Sequence, residues 1–360
     1  MKTVVLVGSG YSHLYCLNQL QKERHPDTNW VLISNSKYQY NSDMSAGYIE
    51  GIYAVEECRV DLEQLCQRSK ASLVEGTILS IDPHQQVILT DQGHIQSYDI
   101  ISFNIGSKNT LDFVDGLKYK SEVIKPHHLF PEKFDVLREG ENPVIIGDSI
   151  EGIEIGLSIL AWKKKHQKAE PNVTFIHSAS LEEAGSKTSR KISSFAQKKG
   201  LQWIFSKVRS VGETFVYTED DQEIPFSHLI DLGEPSAPKL FKSSPLKVDD
   251  KGFLLTHPTL QSVSKENVFG VGSCSSIMKH PDTSRNEGNG VKQGPFLWEN
   301  IHHLIEGKTL TSYKPGIHNL SIMSAGDKEG FLTYGKYSSY GKWQWKLKNF
   351  FNRRLIAKYN

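Results

Sequence analysis

The chain has 360 residues and a formal net charge of +1 at neutral pH. It is long enough for two domains with a sizeable core, and its balanced charge argues against a nucleic-acid partner. Its four cysteines form no CxxC pair, so the sequence suggests neither a zinc knuckle nor a disulfide framework, and we expect no metal site. We see no run of ~20 apolar residues and no signal peptide, and therefore expect a soluble or peripheral intracellular protein.

Short β-branched strands alternate with helical segments from the N-terminus onward, which predicts an α/β fold. An apolar strand runs directly into Gly8-Ser9-Gly10, as a phosphate-binding turn requires. The elements predicted for this part, in chain order, are a strand over 4–7, a helix over 12–24, a strand over 29–35 and a β-meander over 71–107.

The same pattern restarts near residue 143, about 140 residues after the first turn, which indicates duplication at the scale of a domain. No low-complexity linker separates the two halves, so we expect interleaved domains. The predicted elements are a strand, glycine turn and helix over 142–162, a strand over 172–177, a helix over 186–199 and further strands over 212–233.

Each glycine turn keeps part of the dinucleotide pattern. In that pattern the first glycine makes the turn, the second admits the pyrophosphate, and the third lets the helix pack on the strand. The first turn keeps Gly8 and Gly10 but has His13 in the third position, and the second keeps Gly147 and Gly152 but has Ser149 in the second. Either turn alone could be purely structural, whereas two in register predict two dinucleotide sites.

Neither second strand ends in the acidic residue that usually binds an adenosine ribose. The first ends in Ser34 and Asn35, and the second ends in His177 and Ser178. These side chains either bind the ribose with less charge assistance or are ordinary polar residues of a loop.

Six further segments carry a resemblance to a known family. They are KYQYNSDMSAGYIEG (37–51), YDIISFNIGS (98–107), HLIDLGEPSAP (228–238), GFLLTHPTLQSVSKENVFGVGSCSS (252–276), GNGVKQGPFLWENI (288–301) and GKWQWKLKNFFNRRL (341–355). With these segments in this order, nearly the whole chain resembles the type II NADH dehydrogenase-like flavoproteins, which are two-dinucleotide-domain FAD oxidoreductases. It resembles most the branch with the flavin domain fused to some selenophosphate synthetases.

The resemblance implies a doubly wound arrangement of two Rossmann-like domains. Residues 1–112 and 246–320 would form an FAD-binding domain, 113–245 an inserted NAD(P)H-binding domain, and 321–360 a basic, aromatic C-terminal tail. Gly147, Ser149 and Gly152 would bind NAD(P)H, the substrate. The residues assigned to FAD, the cofactor, are Gly8, Gly10, His13, Ser34, Asn35, Ser42, Gly106, Gly272 and Ser273. For His13 the alternative is a polar residue packed between helix and sheet.

The implied reaction passes hydride from NAD(P)H to the flavin and onward to an acceptor such as a quinone. Glu154 would orient the nicotinamide, or else be a first-turn carboxylate stabilised by the helix dipole. A helix opening near 291–293 would stabilise negative charge on the flavin. Lys292 would add a positive charge there, or be a solvated lysine, and Gln293 would face the quinone.

Three departures from the family pattern leave a second function open. Ser273 replaces an aspartate that would bind the ribityl chain, Ser149 replaces a glycine, and Gln293 stands where better-known members have two glutamines. The alternative is a degenerate member that binds nucleotide as a regulatory or interaction module. Cys58 and Cys66, eight residues apart in a predicted helix, lack disulfide geometry, which favours direct hydride transfer without a cysteine relay.

The C-terminal tail is basic and amphipathic. After Glu329 no acidic residue follows, and the last thirty residues contain Lys336, Lys342, Lys346, Lys348, Arg353, Arg354 and Lys358. A helix from about residue 342 would place Trp343, Leu347, Phe350, Phe351 and Leu355 on one side. It either lies on an anionic membrane surface, on the cytoplasmic face, or packs its apolar side on the protein core. The sequence does not indicate the oligomeric state.

Overall fold

The computed structural model describes residues 1–110, 114–117, 121–123, 129–167, 171–179, 186–281, 287–316, 320–335 and 337–360. The first part of the chain has short 3-10 helices at Ser42–Met44 and Val55–Cys58. Its α-helices are α1 (Tyr11–Leu20), α2 (Ser45–Ile49) and α3 (Leu62–Ser69). Its strands are β1 (Lys2–Val7), β2 (Thr28–Ser34), β3 (Tyr38–Tyr40), β4 (Arg59–Asp61), β5 (Ser72–Glu75), β6 (Ile78–Asp82), β7 (Val87–Thr90), β8 (Ile95–Ser97), β9 (Ile100–Phe103) and β10 (Lys108–Thr110).

The middle part repeats the alternation of strands and helices. Its α-helices are α4 (Phe130–Glu139), α5 (Ile150–Lys165), α6 (Ser186–Lys199) and α7 (Lys239–Lys242). Its strands are β11 (Ser121–Val123), β12 (Pro143–Ile146), β13 (Thr174–His177), β14 (Gln202–Phe205), β15 (Val208–Val211), β16 (Phe215–Thr218), β17 (Glu223–Pro225), β18 (His228–Asp231) and β19 (Glu234–Ser236).

The last part returns to the first sheet and ends in a helix. A 3-10 helix lies at Gly272–Cys274, and the α-helices are α8 (Glu287–Glu306) and α9 (Lys342–Ala357). The strands are β20 (Leu254–Thr256), β21 (Gln261–Ser262), β22 (Lys265–Gly270), β23 (Ser275–Ile277), β24 (Leu320–Ser324), β25 (Gly330–Tyr334) and β26 (Tyr337–Gly341).

The larger sheet has the strand order β23-β20-β21-β22-β9-β1-β2-β5. From β22 to β5 neighbouring strands are parallel, so their carboxyl ends meet at one edge. The central strand β1 is completely buried at Val4, Val5 and Leu6, because helices and further strands cover both faces of the sheet. The β-meander predicted over 71–107 is confined to the antiparallel sheet β6-β7-β8, because β5 and β9 join the larger sheet in parallel.

The second sheet, β11-β18-β12-β13-β14, is parallel throughout. Its strands come from residues 121–231, between the two groups of strands that build the larger sheet, and β10 pairs with β19 where the chain passes between them. The predicted α/β fold with two parallel sheets is confirmed. The domain boundaries stay predictions, and the one at 112/113 falls outside the described residues.

Two predicted details are wrong. Cys58 and Cys66 do not share a helix, since Cys58 ends a 3-10 helix and Cys66 lies in α3. Helix α8 begins at Glu287 rather than near 291–293. Ser12 Oγ donates to the Gly290 carbonyl at 2.6 Å, so the first turn of α8 already packs against α1. Within the described ranges, none of the helices has the length and apolar character to span a bilayer.

Candidate functional site

The first glycine turn is built around a side chain from the neighbouring strand. Gly8 has a φ of +87°, and a Cβ there would lie 2.5 Å from the Asn104 carbonyl oxygen. A Cβ on Gly10 would overlap the Asn104 side chain itself. Because Asn104 directly follows β9, which pairs with β1, the sheet forces this contact. Glycine is therefore required at both positions by the protein's own packing.

Asn104 also reaches the segment over 252–276, which resembles the third FAD motif of the family and is called the third motif below. Its Nδ2 donates to the Val271 carbonyl at 3.1 Å, and a Cβ on Gly272 would overlap that nitrogen. The side chain is buried, and its Oδ1 has no hydrogen-bond partner in the described part of the chain. Asn104 was not among the residues predicted from the sequence. The available signal was a polar residue immediately after a strand that is apolar except for Ser102.

The residues predicted to surround the flavin meet at this edge. Gly106 follows β9, and Ser273 Oγ lies 3.9 Å from where a Cβ on Gly106 would stand. Gln293 of α8 is almost fully buried, and its Oε1 accepts a hydrogen bond from the Gly272 N–H at 2.7 Å. The sequence predicted that Gln293 faces the quinone, whereas in the structure its side-chain amide holds the backbone of the third motif at Gly272. Lys292 is exposed in the second turn of α8.

His13 lies behind the turn. Nδ1 is 2.6 Å from the Gly8 carbonyl oxygen and Nε2 is 2.8 Å from Ser102 Oγ. A carbonyl only accepts, so Nδ1 carries the proton and Nε2 accepts from the Ser102 hydroxyl. Complete burial lowers the pKa of His13 to about 4 and keeps the ring neutral. The geometry therefore favours the packing alternative, because both ring nitrogens are committed to the protein.

An open cavity of about 430 Å³ lies at the carboxyl ends of β2 and β5. Asn35 lines it, whereas the neighbouring Ser34 is buried and donates to the Ser36 carbonyl at 2.9 Å. The register places Glu75 beside Ser34, so the adjacent strand supplies a carboxylate that β2 lacks. The lining residues are Asn35, Glu75, Gly76, Thr77, Asp91 and Gln92.

Ser42 lies beneath the C-terminal helix. It begins a 3-10 helix whose start is capped by Asn41, since Asn41 Oδ1 accepts from the Asp43 N–H at 3.0 Å. Asn352 of α9 donates to the Asp43 carbonyl at 3.1 Å. The short segment that contains Ser42, a residue predicted to bind FAD, is therefore held by α9.

The second glycine turn has the packing that the dinucleotide pattern predicts for Gly152. A Cβ on Gly152 would overlap the Phe175 ring, so Gly152 allows helix α5 to pack on strand β13, as a third glycine should. Gly147 lies directly against the Leu232 side chain, which leaves no room for a Cβ. Ser149 has a φ of −112°, a conformation that any residue adopts, and its buried hydroxyl has no partner among the described residues. Serine is thus tolerated by the backbone at this point.

Asp148, inside this turn, bonds the loop that follows β13. Its Oδ1 accepts from the N–H groups of Ser178 and Ala179 at 2.7 and 2.9 Å, and its Oδ2 accepts from Ser178 Oγ at 3.1 Å. Asp231 ends the adjacent strand β18 and accepts from the Gly233 N–H at 3.0 Å. Burial, assisted by the charge of Asp148, raises the pKa of Asp231 to about 6.

Glu154, in the second turn of α5, is committed to the C-terminal part of the chain. Its Oε1 forms an ion pair with Lys348 of α9 and accepts from the Ser324 N–H at 2.7 Å. The buried residues of α9 are Gln344, Lys348, Asn352 and Ile356, spaced four apart. Three of these four are polar, whereas Trp343, Phe350 and Phe351 are 63%, 55% and 47% exposed.

Comparison with known proteins identifies relatives that match nearly the whole chain. No family model matches the chain. It is 21% identical to the NADH dehydrogenase-like protein YutJ of Bacillus subtilis, over 92% of each chain. It is 20% identical to the type II NADH:quinone oxidoreductase of Staphylococcus saprophyticus, over 93% of this chain and 90% of the relative. The chain is therefore similar to NADH dehydrogenase-like and type II NADH:quinone oxidoreductase proteins over nine-tenths of its length.

Solved structures share the fold of this chain. NDH2 from Plasmodium falciparum in complex with NADH aligns with a TM-score of 0.84 at 11% identity, over 99% of this chain and 97% of the other. The sulfide:quinone oxidoreductase from Aquifex aeolicus aligns with a TM-score of 0.83 at 20% identity, over 99% and 92%. At these identities the likeness establishes the architecture, and the chemistry has to be argued from the residues.

Proposed function

We propose that this flavoprotein is an FAD-dependent oxidoreductase that oxidises NADH and reduces a quinone. The observation that carries the proposal is the pair of glycine turns, each at the carboxyl edge of a parallel sheet, in a chain that matches type II relatives over nine-tenths of its length. Open parallel sheets bind nucleotides at this edge, beside the amino end of the following helix.

The residues of the larger sheet fit a flavin dinucleotide. Among the described residues no side chain caps the start of α1 after Gly10, which leaves that helix end suited to a pyrophosphate. Asn35 and Glu75 border a cavity that would take the adenosine, and Gly106, Gly272 and Ser273 lie together on the flavin side. Bound FAD would supply the two-electron chemistry, taking hydride from NADH and delivering electrons to the quinone.

The chain's own residues would position the substrates. Gly147, Ser149 and Gly152 shape the turn on which NADH would dock. The ion pair between Glu154 and Lys348 fixes α9 against α5, while Gln293 holds the backbone of the third motif. The first contact ties the C-terminal helix to the helix that follows the second glycine turn, and the second ties α8 to the turn after β22.

The exposed surface of α9 supports a peripheral membrane location, where a quinone is available. Its outward side carries Trp343, Phe350 and Phe351, and the basic residues Lys342, Lys346 and Arg353 are exposed beside them. Aromatic side chains flanked by positive charge favour the interface of an anionic bilayer, with about 1 kcal/mol from each basic residue near the surface. The buried side of the same helix is mainly polar, so the apolar side is the one that remains available.

The proposal is tested by NADH oxidation with a water-soluble quinone. With oxygen excluded, FAD-loaded protein should turn over NADH continuously only when quinone is present, and protein stripped of flavin should not turn it over. If FAD-loaded protein binds NADH but its flavin stays oxidised, the chain is a nucleotide-binding module. Ser273, in place of a charged ribityl ligand, is the feature that favours this second candidate.

A further inference from the structure

We infer that Asp148 makes the second dinucleotide site selective for NADH over NADPH, by accepting the adenosine ribose hydroxyls and repelling a 2′-phosphate. The inference rests on the proposed function, and it names a specificity residue for the same site. It also answers a question left by the sequence, because β13 ends in His177 rather than in the acidic residue that usually binds this ribose.

The position of the Asp148 carboxylate is the first observation that supports the inference. Asp148 belongs to the glycine turn, yet its side chain crosses to the end of β13. There it accepts from the backbone N–H groups of Ser178 and Ala179 and from the Ser178 hydroxyl. In a dinucleotide fold the ribose of the adenosine lies at the end of this second strand. A residue of the turn therefore supplies the carboxylate that the strand lacks.

The chemistry of the carboxylate decides which ribose it accepts. An ionised carboxylate offers about four lone-pair sites, of which three are used here. One site remains for a donor, and a free 2′-hydroxyl is a donor. Hydrogen bonds to a charged acceptor are roughly twice as strong as neutral ones, so this contact would favour NADH.

The 2′-phosphate of NADPH is disfavoured at the same position. It carries only acceptors at neutral pH, and the N–H and hydroxyl groups that could bind it already donate to Asp148. Its negative charge would also lie beside a carboxylate.

Asp148→Asn is the sharpest variant, because asparagine preserves the turn. Both backbone N–H groups donate to the same oxygen, Oδ1, which asparagine retains. The second contact is to the Ser178 hydroxyl, which can rotate to accept from the new amide. The matched control is Asp82→Asn in the larger domain, since Asp82 Oδ1 likewise accepts from two backbone N–H groups, those of His84 and Gln85, at 2.8 and 3.0 Å.

The experiment is calorimetric titration of the FAD-loaded protein with NAD⁺ and NADP⁺, which bind without reducing the flavin. We expect the unmodified protein to bind NAD⁺ at least about tenfold more tightly, and Asp148→Asn to lower that ratio about tenfold, with tighter NADP⁺ binding. Asp82→Asn should leave the ratio unchanged. Should Asp148→Asn fail to fold, Asp148→Gln serves the same purpose, since it also removes the charge and keeps an amide oxygen that can accept from the loop.

Two results would overturn the inference and point to different causes. Equal affinity for the two nucleotides, or a ratio unaffected by Asp148→Asn, removes Asp148 as the specificity residue and leaves the proposed function standing. If the FAD-loaded protein binds neither nucleotide, the nicotinamide site and the proposed function fail together.

Discussion

Lys348, in the C-terminal helix, forms an ion pair with Glu154, in the helix that follows the second glycine turn. The Lys348 side chain is 9% exposed and the Glu154 side chain 17%, so both charges are largely removed from water. Glu154 also accepts a hydrogen bond from the Ser324 N–H at the end of β24. The end of the chain is thereby tied to α5, the helix that follows the second glycine turn.

We predict that Lys348→Met destabilises the protein, because it leaves the Glu154 carboxylate buried without a cation. Breaking a fully buried pair costs about 3–5 kcal/mol, and partial exposure should bring the loss here to about 1–3 kcal/mol. The matched control is Lys346→Met, an exposed lysine of the same helix, with an expected change within about 0.5 kcal/mol. Chemical unfolding measures both. Equal losses in the two variants would show that the ion pair contributes nothing, and the double variant Glu154→Gln/Lys348→Met should be milder than Lys348→Met.

His13→Gly restores the third glycine of the dinucleotide pattern, yet we expect it to weaken the protein. It removes a buried ring with two hydrogen bonds and puts glycine inside a helix, for a combined cost of about 3 kcal/mol or more. FAD retention through gel filtration should not improve. A variant that is as stable as the parent and holds FAD more tightly would contradict the packing role of His13.

Asp231 should make stability depend on pH. Burial raises its pKa from 3.8 to about 6, so between those pH values the folded protein binds more protons than the unfolded chain. This contribution therefore lowers stability as pH rises from about 4 to about 6. Asp231→Asn, which keeps an oxygen for the Gly233 N–H, should raise the free energy of unfolding at pH 7 by up to about 3 kcal/mol and change little near pH 3. A gain of the same size at both pH values would contradict this reason.

Ser273→Asp should tighten FAD binding about tenfold, since a charged acceptor replaces a neutral hydroxyl beside Gly106. Ser273→Asn is the control, with a similar size and no charge. Flavin fluorescence during titration of the stripped protein measures both affinities. If the aspartate variant binds FAD no better than the asparagine variant, our placement of the ribityl chain beside Ser273 is wrong.

The triple variant Trp343→Ser/Phe350→Ser/Phe351→Ser should lose sedimentation with anionic liposomes at low salt while keeping its thermal stability, because these rings are exposed. The control Ile95→Ser removes an exposed apolar residue of the β-meander, 73% exposed, and should sediment like the parent. Cutting the chain after Gly341 removes α9 and should also abolish binding. Unchanged sedimentation of the triple variant would remove the membrane proposal.

The sequence predicted those features that depend on local pattern. The strand before each glycine turn, the helix at Ser186–Lys199 and the helix from Lys342 lie where periodicity placed them. The start of α8 was missed because Gly288 and Gly290 disfavour a helix in isolation. In the structure, Gly294 lets α8 approach Tyr15 of α1 closely, since a Cβ there would lie 2.8 Å from Tyr15 Cβ, and this packing outweighs the low propensity.

The residues that the sequence did not reveal act across strands. Asn104 meets Gly8 and Gly272 because β9 lies between β1 and β22, and Glu75 lies beside Ser34 because β5 pairs with β2. Asp148 reaches the end of β13 for the same reason. Strand order is set by the whole sheet, so a reading along the chain could not bring these pairs together.

The central claim is that this flavoprotein takes electrons from NADH on its own FAD. The most direct test mixes FAD-loaded protein with NADH in an anaerobic stopped-flow instrument and follows the flavin absorption. We predict that the absorption bleaches on mixing and returns when a quinone is added. Flavin that stays bound and fully oxidised in the presence of excess NADH would contradict the account.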